Sequence, residues 1–180
     1  VFNTVVRVVG EDGEDVPVGE VGEFVTSGPQ VVPGYWNKPD KTAESLPDGA
    51  LRTGDVGFMD ADGWFYIVDR KKDMIKTGGE NVASREVEEA VLRHPKVAEV
   101  AVFGVPDDKW GETPLAAVRL RPGEACDPDE LRAWINANVG ARYQRVREVV
   151  LVDDFPRSVA GKILKRNLRE PYWADRGRKI

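Results

Sequence analysis

Between residues 1 and 69 the apolar positions fall in short runs separated by glycine, proline and acidic residues. Such punctuation predicts short strands joined by turns. Val5 to Val9 reads as a strand that ends at Gly10-Glu11-Asp12-Gly13, and Phe24 to Thr26 as another, broken by Ser27-Gly28-Pro29. Val56 to Met59 and Trp64 to Val68 flank the turn Asp60-Ala61-Asp62-Gly63, which predicts a hairpin. The stretch carries no helical pattern. Strands without a helix would struggle to close a core alone, so the stretch is expected to be part of something larger.

From about Lys72 the periodicity changes. Ser84 is expected to cap a helix running to about Arg93, with Val87, Ala90 and Val91 on one face. Val97 to Phe103 and Leu115 to Leu120 read as strands. Asp127-Pro128 is a helix start, an N-cap followed by a proline whose missing N–H costs nothing there. Leu131, Trp134 and Ile135 then share a face up to about Val139, Glu148 to Val152 is a further strand, and Ile163 to Arg169 a short helix. This order predicts a small α+β domain over residues 72–180. The division is expected within Asp69-Arg70-Lys71-Lys72-Asp73, because five consecutive charges are not cheaply buried together. The run is either a solvated turn or a hinge.

Composition narrows the chemistry. The chain has 180 residues, 41% hydrophobic and 32% charged, with a formal net charge of -5. No apolar run approaches the ~20 residues that span a bilayer, and the first residues do not read as a signal peptide, so a cytoplasmic protein is expected. The negative charge argues against general nucleic-acid binding. Cys126 is the single cysteine and His94 the single histidine, which leaves no material for a disulfide, a Cys/His metal cluster or a Ser/His/Asp triad. His94 follows a predicted helix and is read as a C-terminal cap or surface residue, and Cys126 as a loop residue. Chemistry must therefore come from lysine, arginine and carboxylates. The tail from Arg157 to Lys179 is basic, with Lys162, Lys165, Arg166, Arg169, Arg176, Arg178 and Lys179. It is either a solvated helix or a phosphate-attracting surface.

Three segments stand out. Leu51-Arg52-Thr53-Gly54-Asp55 places a carboxylate after a glycine turn, where it can accept hydrogen bonds from vicinal hydroxyls. Lys76-Thr77-Gly78-Gly79-Glu80-Asn81 carries two glycines, either an ordinary turn or a place where backbone approaches a ligand. Ser158-Val159-Ala160-Gly161-Lys162-Ile163 sets a lysine in a small-residue loop, able to offer a point charge to phosphate. This is not a Walker A loop, since Ile163 stands where a Ser or Thr would hold magnesium.

In order and spacing these motifs, together with Tyr66-Ile67-Val68-Asp69-Arg70-Lys71-Lys72-Asp73 and Pro156-Arg157, resemble the adenylate-forming family. That family includes acyl- and aryl-CoA synthetases, luciferase and peptide-synthetase adenylation domains. The resemblance covers nearly the whole chain. It implies a small C-terminal lid, a three-stranded sheet with flanking helices plus a hairpin, over residues 72–180. Residues 1–71 would be the strand-rich, β-barrel-like end of a large N-terminal domain. It implies ATP with magnesium, the metal site lying outside this chain, and activation of a carboxylic acid, a fatty acid first and an aryl acid second. Thr77-Gly78-Gly79-Glu80-Asn81 is similar to the form found where coenzyme A is the acceptor. Carried over, Lys162 is the catalytic cation, Asp55 and Arg70 hold the ribose, and Lys72 is the hinge. Lys76, Gly78, Gly79 and Glu80 line the pantetheine channel, and Trp110, Tyr143, Arg145 and Arg147 meet the coenzyme A nucleotide. For Trp110, packing on the domain core is the competing reading. Two departures are Leu51, where many relatives carry an aromatic residue, and Val146, where many carry proline. The family's phosphate loop is absent, so the chain alone is expected to be inactive and to depend on an upstream domain. Alternatives are an adenylation domain loading a carrier protein and a non-catalytic lid that binds a nucleotide or partner.

Overall fold

Four antiparallel strands in the order β1-β2-β3-β4 build the first part of the chain: β1 (Val5–Val9), β2 (Gly22–Ser27), β3 (Leu51–Met59) and β4 (Phe65–Arg70). They are seen in a computed structural model that describes residues 3–176. The chain divides into two compact units, Val1–Lys72 and Asp73–Ile180. In the first unit Val8, Val9, Phe24, Val25 and Val56 are buried, and Phe65 sets its ring edge-on to Phe24 at 5.6 Å. Each such side chain contributes roughly 1.5–3 kcal/mol when fully buried. Val5, Trp36, Trp64 and Ile67 stay exposed.

The structure corrects three readings in this unit. A helix, α1 (Pro39–Ser45), is present where none was expected. Proline occupies its first turn, yet it buries no residue, so no apolar stripe announced it. Gly54-Asp55 is not a turn between elements but lies inside β3. Two steps of register on β2, from Glu23 to Val25, face four on β3, from Val56 to Arg52. The extra residues form a bulge, with Gly54 at φ 72°. The charged run is not wholly solvated either. Asp69 is buried in β4, and its carboxylate accepts the Arg70 N–H at 2.7 Å.

The second unit is α+β. Its sheet has five strands where three plus a separate hairpin were expected: β5 (Ile75–Thr77), β6 (Glu80–Val82), β7 (Val97–Asp107), β8 (Gly111–Leu120) and β9 (Glu148–Leu151). Hairpin β5–β6 joins the sheet through Thr77 and Gly111. Strand β9 pairs with β8 in parallel, and β7 pairs with β8 along almost their whole length. Both are longer than their apolar runs, because Pro106, Asp107 and Glu112 continue the ladder to a tight turn.

Helices α2 (Ser84–Leu92) and α3 (Pro128–Asn138) bury Val87, Val91, Leu131 and Ile135 against Val100, Val102, Ala116 and Val118. On the other face Ala101, Phe103, Val105, Leu115 and Ala117 meet Phe155, Ile163 and Leu168. A strand covered on both faces reads as a continuous apolar run, which explains Val100 to Val105. Asp127 caps α3 as expected, accepting the Asp129 and Glu130 N–H groups at 2.9 and 3.1 Å. Such a cap contributes about 1 kcal/mol.

Two helix boundaries are corrected. Ala83, not Ser84, occupies the N-cap of α2; Ser84 is fully buried and accepts a hydrogen bond from Lys165 Nζ at 2.7 Å. Helix α4 (Lys165–Trp173) begins after Ile163 and continues through Pro171, anchored where Trp173 donates to the Gly104 carbonyl at 3.0 Å. No helix among the described residues is long and apolar enough to cross a membrane.

Candidate functional site

In the first unit the bulge brings Asp55 directly opposite Arg70. Arg70 Nε lies 2.9 Å from Asp55 Oδ1, and its Nη2 donates to the Thr53 carbonyl at 3.1 Å. The Asp55 N–H in turn donates to Thr53 Oγ1 at 3.0 Å. Arg70 is half exposed and Asp55 about a third. An ionised carboxylate accepts up to about four hydrogen bonds, so Arg70 fixes Asp55 while leaving acceptor capacity for a diol.

Beneath the bulge lies a residue that motif reading missed. Glu23, 7% exposed in β2, accepts from Lys71 Nζ at 2.8 Å, Arg52 Nη1 at 3.3 Å and the Gly54 N–H at 3.2 Å. Burial alone would raise its pKa. The Lys71 ammonium, the Gly54 N–H and Arg52 together outweigh it and hold the carboxyl below the usual carboxylate range. A charge within Val21-Gly22-Glu23-Phe24-Val25 was the available signal. Lys72 follows β4 in an exposed turn.

In the second unit Lys162 is exposed on a loop whose base is tied on both sides. Ser158 N–H donates to the Lys162 carbonyl at 2.8 Å, and Leu164 N–H to the Pro156 carbonyl at 2.8 Å. Upstream, Arg157 Nη2 lies 2.7 and 2.8 Å from the two Glu99 oxygens, and Glu99 Oε2 also accepts from Arg119 Nε. Arg157 first, then Arg119, hold the Glu99 carboxyl below its usual range. Downstream, Lys165 Nζ reaches Glu88 Oε1 at 2.7 Å, with both side chains largely buried. Glu88 Oε1 also accepts the Val102 N–H. The tip, by contrast, is open: Val159 is fully exposed. The loop thus combines a fixed base with an exposed tip. Glu99→Ala is expected to raise amide hydrogen exchange at Ser158 and Lys162 by roughly fivefold, because it removes the charge-assisted, solvent-screened anchor of Arg157. Exchange at Ala101 to Phe103 should stay unchanged.

The two glycines form the two-residue turn of hairpin β5–β6, with φ 58° at Gly78 and 92° at Gly79. That is the turn geometry such hairpins favour. Lys76 and Glu80 flank it. Gly78 N–H donates to the Trp110 carbonyl at 2.8 Å, and a Cβ on Gly78 would lie 2.6 Å from the Trp110 ring. Trp110 is 49% exposed and carries Lys109 Nζ at 4.4 Å from its centroid, so it is no core residue. Asp107 fixes this turn by accepting the Trp110 and Lys109 N–H groups, which hold its carboxyl low. Arg147 joins the group through the Pro106 carbonyl at 3.3 Å. Tyr143 and Arg145 lie in and just after the short turn Arg142–Gln144, which packs against β6. That turn is held by Gln144 on Glu86 and by Asn136, which bonds both the N–H and the carbonyl of Val146. Val146 thus uses the N–H that a proline would lack.

The lysine loop and the Gly78–Trp110 group sit at opposite ends of β7. Their anchors, Glu99 and Asp107, are eight residues apart, or about 26 Å along a strand. Elsewhere, the imidazole of His94 packs edge-on to Trp134 at 4.8 Å and accepts the Lys96 N–H. The basic tail is partly neutralised by pairs such as Arg157 with Glu99 and Arg176 with Asp108. Arg178 and Lys179 lie outside the described residues. Among the described residues no three His, Cys, Asp or Glu side chains are grouped to hold a metal.

The family described as AMP-binding enzyme C-terminal domain matches residues 86–162. A feruloyl-CoA synthase of Amycolatopsis is 47% identical over 171 residues, covering 95% of this chain and 35% of the relative. A medium/long-chain-fatty-acid–CoA ligase of Mycobacterium tuberculosis is 46% identical, covering 97% of this chain and 32% of the relative. Among solved structures, ATP-bound MatB from Rhodopseudomonas palustris superposes with a TM-score of 0.86 at 35% identity, over 98% of this chain and 35% of that one. The chain thus spans about a third of the length of the relatives it matches.

Proposed function

We propose, because this chain belongs to the adenylate-forming family of AMP-binding enzymes, that it is the C-terminal portion of an acid–thiol ligase acting on a carboxylic acid, ATP and coenzyme A. In the first step a carboxylate oxygen attacks the α-phosphorus of ATP and pyrophosphate leaves. In the second the coenzyme A sulfur attacks the acyl carbon and AMP leaves. The first step brings two anions together, and Lys162 is the cation that relieves their repulsion. Asp55, fixed by Arg70, accepts the ribose hydroxyls. Magnesium is assigned to residues outside this chain.

The observation that carries this reading is the separation of the lysine loop from the Gly78–Trp110 group along β7. A domain that uses one end for adenylation and the other for thioester formation must present them in turn. Lys72, in the exposed turn at the division of the two units, is the proposed hinge. Lys76, Gly78, Gly79 and Glu80 would line the path of the thiol arm. Trp110 would stack on the nucleotide base, with Tyr143, Arg145 and Arg147 serving base and phosphates. The acid is proposed to be a fatty acid, on the likeness to the mycobacterial ligase, with aryl acids as the second class.

The test is pyrophosphate exchange and thioester formation by the full-length protein over fatty and aryl acids. Asp55→Ala is expected to raise KM for ATP about tenfold, the worth of a hydrogen bond to a charged group, and to leave KM for the acid unchanged. Adenylate passed only to a phosphopantetheinylated protein would install the carrier-protein reading. Absence of both half-reactions would overturn the enzyme and leave a binding module.

A further inference from the structure

Glu23 has no part in the chemistry above, yet it touches every backbone segment that presents the ribose site. Arg52 lies just before the bulge, Gly54 within it, and Lys71 between Arg70 and Lys72. Two further bonds close the same knot. Lys71 N–H donates to the Gly54 carbonyl at 2.8 Å, and Thr53 Oγ1 to the carbonyl of Phe24, the residue after Glu23, at 2.8 Å. A buried carboxylate paired with a half-exposed lysine and a partly exposed arginine adds little net stability over an apolar residue of similar size. Stability alone is thus a poor account of a carboxylate in the middle of β2. Geometry is a better one: Glu23 supplies the acceptor for the Gly54 N–H, which together with the Lys71 bond to the Gly54 carbonyl holds the left-handed residue of the bulge in place.

We propose that Glu23 is a positioning residue, fixing the bulge so that Asp55 and Arg70 meet the nucleotide and pinning the end of β4 immediately before the hinge lysine. The proposal rests on the reading of Asp55 as the ribose ligand. It assigns Glu23 no contact with substrate. Its effect runs through Gly54 and Lys71, so it should appear in nucleotide affinity and not in affinity for the acid.

The experiment uses full-length protein carrying Glu23→Gln, Lys71→Met or Asp55→Ala, with KM for ATP, KM for the acid, kcat and thermal midpoint measured for each. Glutamine still accepts the Gly54 N–H but cannot neutralise Lys71 and Arg52. Glu23→Gln is expected to raise KM for ATP about tenfold, the equivalent of one charge-assisted hydrogen bond, with KM for the acid unchanged. Lys71→Met removes a half-exposed side chain, should fold normally, and is expected to raise KM for ATP about threefold, a smaller loss than that of a full charge-assisted bond. An unchanged KM for ATP in both variants, with a raised one in Asp55→Ala, overturns the role of Glu23 and leaves the ribose reading standing. A lowered thermal midpoint and kcat at constant KM for ATP overturns it too, since that marks a purely structural residue. If Asp55→Ala itself leaves KM for ATP unchanged, the ribose reading fails and the proposal falls with it. Should Glu23→Gln not fold, Lys71→Met decides: no rise in KM for ATP overturns the proposal.

Discussion

Lys162→Ala in the full-length protein is expected to lower the rate of acyl-adenylate formation by about 10²–10³, the usual effect of removing one preorganised charge from a transition state. The fold should be untouched. The side chain is exposed, and the loop is closed by bonds from Ser158 N–H to the Lys162 carbonyl and from Lys162 N–H to Ser158 Oγ, both of which alanine keeps. The anchors on either side, Arg157 on Glu99 and Lys165 on Glu88, do not involve Lys162. The loss should therefore fall on kcat for pyrophosphate exchange, with an unchanged thermal midpoint. Thioester formation from supplied acyl-adenylate should proceed at close to the wild-type rate, because no phosphate is attacked in that step. Lys162→Arg keeps the charge but replaces a compact ammonium with a planar fork, so only partial recovery is expected. A loss below about fivefold would remove Lys162 from the chemistry, since it would fall short of any such electrostatic role.

Gly78→Ala should divide the two half-reactions in the opposite sense. Its methyl group would lie 2.6 Å from the Trp110 ring, inside any tolerable contact, and the backbone there is left-handed at φ 58°. The conformational penalty alone is of order 1–2 kcal/mol. Asp107 and Gly78 hold the Trp110 main chain, so the clash can be relieved only by turning the indole away from the turn. Pyrophosphate exchange should remain within about twofold, while thioester formation falls by about 10-fold to 100-fold, as expected when a reacting group is displaced by about an ångström. Single-turnover transfer from preformed adenylate to coenzyme A separates the two. The pair Gly78→Ala with Trp110→Ala removes the clash but also the stacking ring. If the pair recovers the lost rate, the ring acts only as an obstacle, and its proposed role in binding the nucleotide fails.

Much of this arrangement was legible because it is local. Asp127-Pro128 predicts a helix start from two adjacent residues, and Asp60 to Gly63 a hairpin turn from four. The double glycine at 78–79 was read as a possible turn, and its two positive φ values make it a hairpin. Where local signals were silent, the reading failed. Helix α1 buries nothing, so periodicity had nothing to report. Ser84 has the chemistry of a cap, but its hydroxyl is buried and taken by a lysine from another element.

The sequence by itself determined most of the strands, the helices that carry an apolar face, the hairpin turn at Asp60 to Gly63 and the motifs that place the chain in its family. Strands, helices and turns depend on residues within a few positions of one another, and the family resemblance on short local motifs in a fixed order along the chain. Only the tertiary structure decided which polar groups hold the candidate sites in place. Lys71 reaches Glu23 across 48 residues, Arg157 reaches Glu99 across 58, and Lys165 reaches Ser84 across 81. Such pairs depend on how distant segments pack, and at Glu23 on the register of β2 with β3 and its bulge, where shifting the count by a residue would turn a side chain to the opposite face of the sheet.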